Sequence, residues 1–107
     1  MRLKKLNEAD FQKQVIDLAR IRGWLVAHFR PARVIRNGRE TWATPVAGDG
    51  AGFPDLVLVR KGIALFRELK TDEGKLGISQ KRWLEEIGLM ADVWRPRDWA
   101  RIERELL

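Results

Sequence analysis

Apolar and polar positions change period several times along this chain, and each change marks an element. Between residues 7 and 22 the spacing is helical, with Phe11, Val15, Leu18 and Ala19 at i, i+4, i+7 and i+8; this is the stripe of one buried helix face. Asn7 is the expected N-cap, Asp10 stands three residues on as in a capping box, and Gly23 closes the helix. Residues 24–29, Trp24 to Phe29, then read as a strand. Arg36-Asn37-Gly38-Arg39 carries the strongest short hairpin signal, with arms over 32–36 and 39–43, because Asn-Gly suits the two positive φ angles of a tight hairpin turn. A glycine-rich approach, Gly48 to Gly52, leads into two apolar runs joined at Lys61-Gly62 and ending at Glu68-Leu69-Lys70. After a polar turn over 71–77, Ser79 is the expected cap of a helix through Gly88, with Trp83, Leu84 and Ile87 as its buried face. Ala91 to Trp94 is a last short strand, and Pro96 opens a final helix over 97–106 with Trp99, Ile102 and Leu106 as its apolar stripe.

The order is helix, strand, Arg-rich hairpin, strand, strand, helix, strand, helix. That predicts an α/β domain with a small mixed sheet, helices covering both faces because the central strands are apolar on both. There is no internal repeat and no low-complexity segment.

The tight turn fixes a register. With Lys61-Gly62 as a two-residue turn, Arg60 faces Ile63, and the same pairing sets Asp55 opposite Glu68 on one face, with Lys70 sharing it and Leu69 turned away. Opposed Cβ atoms lie about 5 Å apart. Two carboxylates at that distance repel by roughly 3 kcal/mol at an effective dielectric of about 20. A protonated acid or an intervening cation relieves this; Lys70 is one such cation, and a hard divalent metal is a better one.

Composition narrows the classes. The chain has 107 residues, enough for one domain spanning 1–107. No apolar run approaches the roughly 18 residues of a membrane span, and the first six residues lack the apolar core of a signal peptide. Cysteine is absent, which excludes disulfides and thiolate metal sites and fits a cytoplasmic protein. The net charge of +6 and pI near 10.3 favour a polyanionic partner. Arg30, Arg33, Arg36 and Arg39 lie on or beside the hairpin with Trp42, a combination suited either to phosphate contact or to an ordinary solvated ribbon. His28 is the single histidine, too few for a zinc site; a serine triad would have only His28 to use, and no nucleophile-elbow glycine pattern surrounds Ser79. A structural or phosphate-side role fits His28 better than a catalytic one. Glu8 and Gln12 stand at the start of the first helix's stripe, where Glu8 either complements the helix dipole or belongs to a site. Gln80, at the first turn of the later helix, is either an exposed helix-start residue or one aimed at the Glu68–Lys70 strand.

Asp55 followed by Glu-x-Lys on the adjacent strand is a compact recipe for metal-assisted hydrolysis. Gly52-Phe53-Pro54-Asp55-Leu56, Glu68-Leu69-Lys70, Ser79-Gln80-x-x-Trp83 with Gly88, and Glu8-x-x-Phe11-Gln12 together resemble the VRR-Nuc family, virus-type replication–repair nucleases of the PD-(D/E)xK superfamily. The resemblance spans most of the chain. It implies a restriction-endonuclease-like αβββαβ core and Mg²⁺- or Mn²⁺-dependent cleavage of DNA. By this likeness Asp55, Glu68, the Leu69 carbonyl and Glu8 are expected metal ligands, Lys70 the catalytic lysine, and Gln80 its support or a phosphate contact. It also implies a homodimer resolving branched DNA such as Holliday junctions, of bacterial or phage origin and acting in the cytoplasm. The arginine hairpin matches no catalytic motif; DNA contact or dimerisation are the roles open to it. A nuclease without structure preference, and a non-catalytic nucleic-acid-binding module on the same fold, are the competing expectations.

Overall fold

The structure, a computed structural model, describes residues 6–29, 32–43 and 46–107. Helix α1 runs Glu8–Ile21. Asn7 caps it, its side-chain oxygen accepting from the Asp10 amide at 2.8 Å. Gly23, at φ +84°, turns the chain out of the helix, a conformation glycine adopts without penalty. Phe11, Val15 and Ala19 are wholly buried and Leu18 packs beside them, so the helical stripe read from the sequence is the core-facing one.

Strand β1 is Leu25–His28, and β2 (Ala32–Arg36) and β3 (Arg39–Ala43) form a separate two-stranded ribbon. Asn37 and Gly38 both take positive φ there, 53° and 73°, as the Asn-Gly signal requires. Strands β4 (Leu56–Arg60), β5 (Ile63–Leu69) and β6 (Ala91–Trp94) join β1 in a four-stranded sheet ordered β1-β4-β5-β6. The first two pairings are antiparallel and β5–β6 is parallel. Lys61 and Gly62 also both have positive φ, 49° and 82°, so this lysine occupies a left-handed position that costs a side-chain-bearing residue roughly 1–2 kcal/mol. The turn is nevertheless two residues long, and pairing runs from Arg60–Ile63 to Leu56–Arg67, the register the sequence implied.

One face of the sheet carries the stability. Leu56, Leu58, Leu65, Leu69 and Trp94 form a single cluster with Phe11, Val15 and Ala19 of α1 and with Ile102 and Leu106. Ile102 lies on α3, Trp99–Glu105, which follows a 3₁₀ turn over Pro96–Asp98. Each fully buried Leu, Ile, Val or Phe of this cluster contributes about 1.5–3 kcal/mol. Arg67 is a buried charge in this layer. Its guanidinium donates to the Phe66 and Met90 carbonyls at 3.0 and 2.9 Å and to Glu105 at 3.2 Å, and it lies over the Trp94 ring.

The opposite face is lightly covered. Helix α2 is Ile78–Ile87, and Trp83, Leu84 and Ile87 are only half-buried. The expectation that Ser79 caps this helix is corrected: the N-cap is Gly77. The reason is local. Gln80 reaches back to accept from the Gly77 amide at 2.8 Å, and Ser79 sits two residues past the cap, against Gly52. No helix among the described residues is long and apolar enough to cross a membrane.

Candidate active site

Asp55 is positioned by backbone pairing on one side and by its own carboxylate on the other. Buried Pro54 precedes it. Its carbonyl accepts from the Phe29 amide at 2.9 Å, which extends the β1–β4 pairing by one rung. Its Oδ2 accepts from the Leu69 amide at 2.8 Å, across on β5. The carboxylate is thereby fixed beside Glu68 without any long side chain to order.

Glu68 is 3% exposed and alternates away from the Leu65, Arg67 and Leu69 row. Its carboxyl is pushed up to about 9, first by burial and then by hydrogen bonding to, and the charge of, Asp55. Lys70 acts in the other direction and Glu8 adds to the rise. The strand register and α1 therefore bring Glu8, Asp55, Glu68 and Lys70 within electrostatic reach of one point. Lys70 is held through its amide, which donates to the Trp94 carbonyl at 3.1 Å. Gln80 joins from α2: its Nε2 lies 3.4 Å from Glu68 Oε1 while its Oε1 caps the helix. Glu8 opens α1 and accepts from Gln12 Nε2 at 3.5 Å, a weak bond at the limit of hydrogen-bond distance.

The donor set is oxygen-based, which suits a hard divalent cation that keeps several waters. Among the described residues no three His, Cys, Asp or Glu side chains form a ready cation cage. The pair Asp55 and Glu68 is thus the nucleus of any such site, with Glu8 at its margin. A cation between them relieves the same repulsion that otherwise keeps a proton on Glu68, so the residues present fit the ion.

Other expected residues stand apart. His28 pairs with Leu56, in the row facing α1 and α3 and away from Glu68. Arg39 is exposed on the ribbon, whereas Arg30 and the side chains of Arg33 and Arg36 lie outside the described residues.

Three supports were given no role by the sequence. At Gly52 an added Cβ would lie 2.6 Å from the Ser79 carbonyl carbon and 2.7 Å from the Gln80 amide, at φ +81°; only glycine lets α2 approach the Asp55 segment this closely. Phe53 sits edge-on to both Phe29 and Trp83, with ring centroids 5.0 Å apart in each pair, joining β1, the Asp55 segment and α2. Arg95, just past β6, donates to the carbonyls of Thr71 and Gly74 at 2.6 Å each, which latches the turn following Lys70. Gly52 and Phe53 belong to a motif the sequence displays, although their packing roles do not show in it, whereas the Arg95 latch joins residues far apart in the chain and leaves no local pattern.

No protein-family model, curated protein or solved structure matches the chain.

Proposed function

We propose that this chain is a metal-dependent DNA endonuclease with a restriction-endonuclease-like, VRR-Nuc-type core, cutting phosphodiester bonds in branched DNA such as Holliday junctions. The observation that carries the reading is Glu68: a buried carboxyl set beside Asp55, with Lys70, one residue past the end of β5, close enough to pull its pKa down. A position needed only for packing has no use for two opposed acids, since an apolar residue of similar volume is as stable or more so.

In this reading Asp55 and Glu68 hold Mg²⁺ or Mn²⁺, with the Leu69 carbonyl and Glu8 as further oxygen donors. The bound cation supplies an activated water and neutralises charge developing on the phosphate. The remaining work falls to the chain's own residues. Lys70 orients the attacking water and donates hydrogen bonds to the phosphate oxygens. Gln80 steadies the Glu68 carboxylate through its amide. Asp55, tied to the Leu69 amide, keeps the two strands in register at the reacting centre.

The surroundings agree with a DNA partner. The chain carries 21 Lys and Arg against 15 Asp and Glu, a balance that draws a polyanion, and the arginine ribbon forms a sheet of its own. A second copy of the chain has a face to occupy: Leu25 is 75% exposed beside its cross-strand partner Val59 on the lightly covered side of the sheet.

The test is nicking of junction, flap, duplex and single-stranded DNA with Mg²⁺ or Mn²⁺, alongside a solution mass. Lys70→Ala should lose activity by about 10²-fold or more while DNA affinity persists. Full cleavage by Lys70→Ala would remove the lysine from the mechanism, and equal cleavage of all four substrates would remove the preference for branched DNA.

A further inference from the structure

Beside the acidic cluster, on the far side of Gly52, a cleft of about 470 Å³ opens between α2 and the 48–51 loop. That volume falls within the range of roughly 300–1,000 Å³ typical of small-ligand sites. Ser79, Arg82, Trp83 and Glu86 line one wall, and Asp49 and Ala51 lie on the other. The four helix residues follow i, i+3, i+4 and i+7, so one helix face turns a planar cation, an indole and a carboxylate toward the same space.

The indole is fixed. Trp83 Nε1 donates to the Asp49 and Ala51 carbonyls at 3.0 and 3.2 Å, and its ring meets Phe53 edge-on. The charged groups are not used up within the protein. Among the described residues, the side chains of Arg82, Glu86 and Asp49 have no hydrogen-bond or ion-pair partner. An anchored aromatic surface with unpaired donors and acceptors of both signs is the equipment for reading an unstacked base. Guanine matches it best, because arginine pairs with its O6 and N7 while a carboxylate accepts from its N1–H and 2-amino group.

The cleft is also joined to the chemistry. Ser79, on its wall, immediately precedes Gln80, whose amide touches Glu68. We infer that this cleft receives a nucleobase of the DNA strand being cut, guanine by preference, close to the scissile phosphate. The inference rests on the nuclease reading above and adds to it a base-reading subsite that the acidic cluster lacks.

The experiment compares junction strands carrying guanine, another base or an abasic sugar at each position flanking the cut. The protein should favour guanine over the abasic sugar by roughly tenfold at one position, the scale of one good side-chain–base pair. In Arg82→Ala and in Glu86→Gln that ratio should fall below about twofold, with the melting temperature unchanged because both residues are exposed. A wild type that ignores base identity at every flanking position overturns the inference, as does a ratio that survives both substitutions. A second arm titrates guanosine monophosphate and ribose phosphate while following the Trp83 indole N–H by NMR. This arm needs no cleavage, so a dead nuclease and an empty cleft are told apart. A shift with the nucleotide and none with ribose phosphate supports a base site. Saturation by free nucleotide without any base dependence of cutting overturns its assignment to the substrate strand.

Discussion

Replacing Glu68 with Gln tests the acidic pair without reference to any activity. The Glu68 carboxyl sits near 9 in the folded protein against an ordinary value of 4.5. Between those pH values the folded chain keeps a proton that the unfolded chain has released. Its contribution to stability is therefore complete below about pH 4.5 and drains away as pH rises toward 9, by about 1.4 kcal/mol per unit. From pH 5 to 8 the loss sums to about 4 kcal/mol, and its first cause is burial of the carboxyl, followed by the hydrogen bond to and the charge of Asp55. Glutamine is neutral throughout and escapes this loss, although its amide replaces a hydrogen-bonding hydroxyl at a cost of about 1 kcal/mol. Glu68→Gln should thus match the wild type within about 1 kcal/mol at pH 5 and exceed it by about 2–3 kcal/mol at pH 8, a large share of a typical 5–15 kcal/mol. Urea unfolding in the presence of a chelator, from pH 5 to 9, reads both curves. Mg²⁺ should then stabilise the wild type increasingly at higher pH, where it displaces the proton more easily, and leave Glu68→Gln largely unaffected. Parallel pH curves for the two proteins, or a wild type that is the more stable at pH 8, would refute the account of a buried, charge-opposed pair.

Gly52→Ala forces a Cβ within 2.6 Å of the α2 backbone at φ +81°; left-handed strain and overpacking together should cost about 3 kcal/mol. Gly62→Ala is its control, with φ +82° and nothing within 4 Å, and calorimetry should show about 1–2 kcal/mol there; equal losses would deny the close approach. Arg95→Met removes two charge-assisted bonds to the Thr71 and Gly74 carbonyls. Exchange of the Gly74 amide, bonded to Thr71 at 3.2 Å, should accelerate about tenfold or more, the equivalent of one lost bond of that kind, while exchange in β4 stays unchanged. Unaltered Gly74 exchange would show that the latch does not order the turn.

What the sequence displayed and what it concealed divide along range. Asn37-Gly38 and Lys61-Gly62 encode their turns in two adjacent residues, and the second turn sets the register that leads Asp55 to Glu68. The α1 stripe was legible because Phe11, Val15 and Ala19 meet one continuous core. The α2 stripe misled: Trp83, Leu84 and Ile87 have helical spacing, yet they lie outside the main core cluster and stay half-buried. Ser79 misled for a related reason. Any serine before an apolar run resembles a cap, and only the fold shows Gln80 satisfying Gly77 while Ser79 lies against Gly52. The identities of Asp55, Glu68 and Lys70 could be read locally. The latch by Arg95 and the tie from Asp55 to the Leu69 amide exist only once distant strands have met.

Helix α2 contains no fully buried residue, whereas α1 and β4–β5 are anchored by side chains with no exposure at all. Opening free energy follows buried apolar contact, so the domain should come apart in stages, with α2 lifting in excursions far smaller than global unfolding. Asp55, Glu68 and Lys70 would ride through such an excursion undisturbed, while Gln80, Arg82 and Trp83 leave together. Native-state hydrogen exchange should accordingly find two cooperative units, a slow sheet and a fast helix. The acidic pair would then keep its geometry on the slow unit while its contact with Gln80 comes and goes with the fast one.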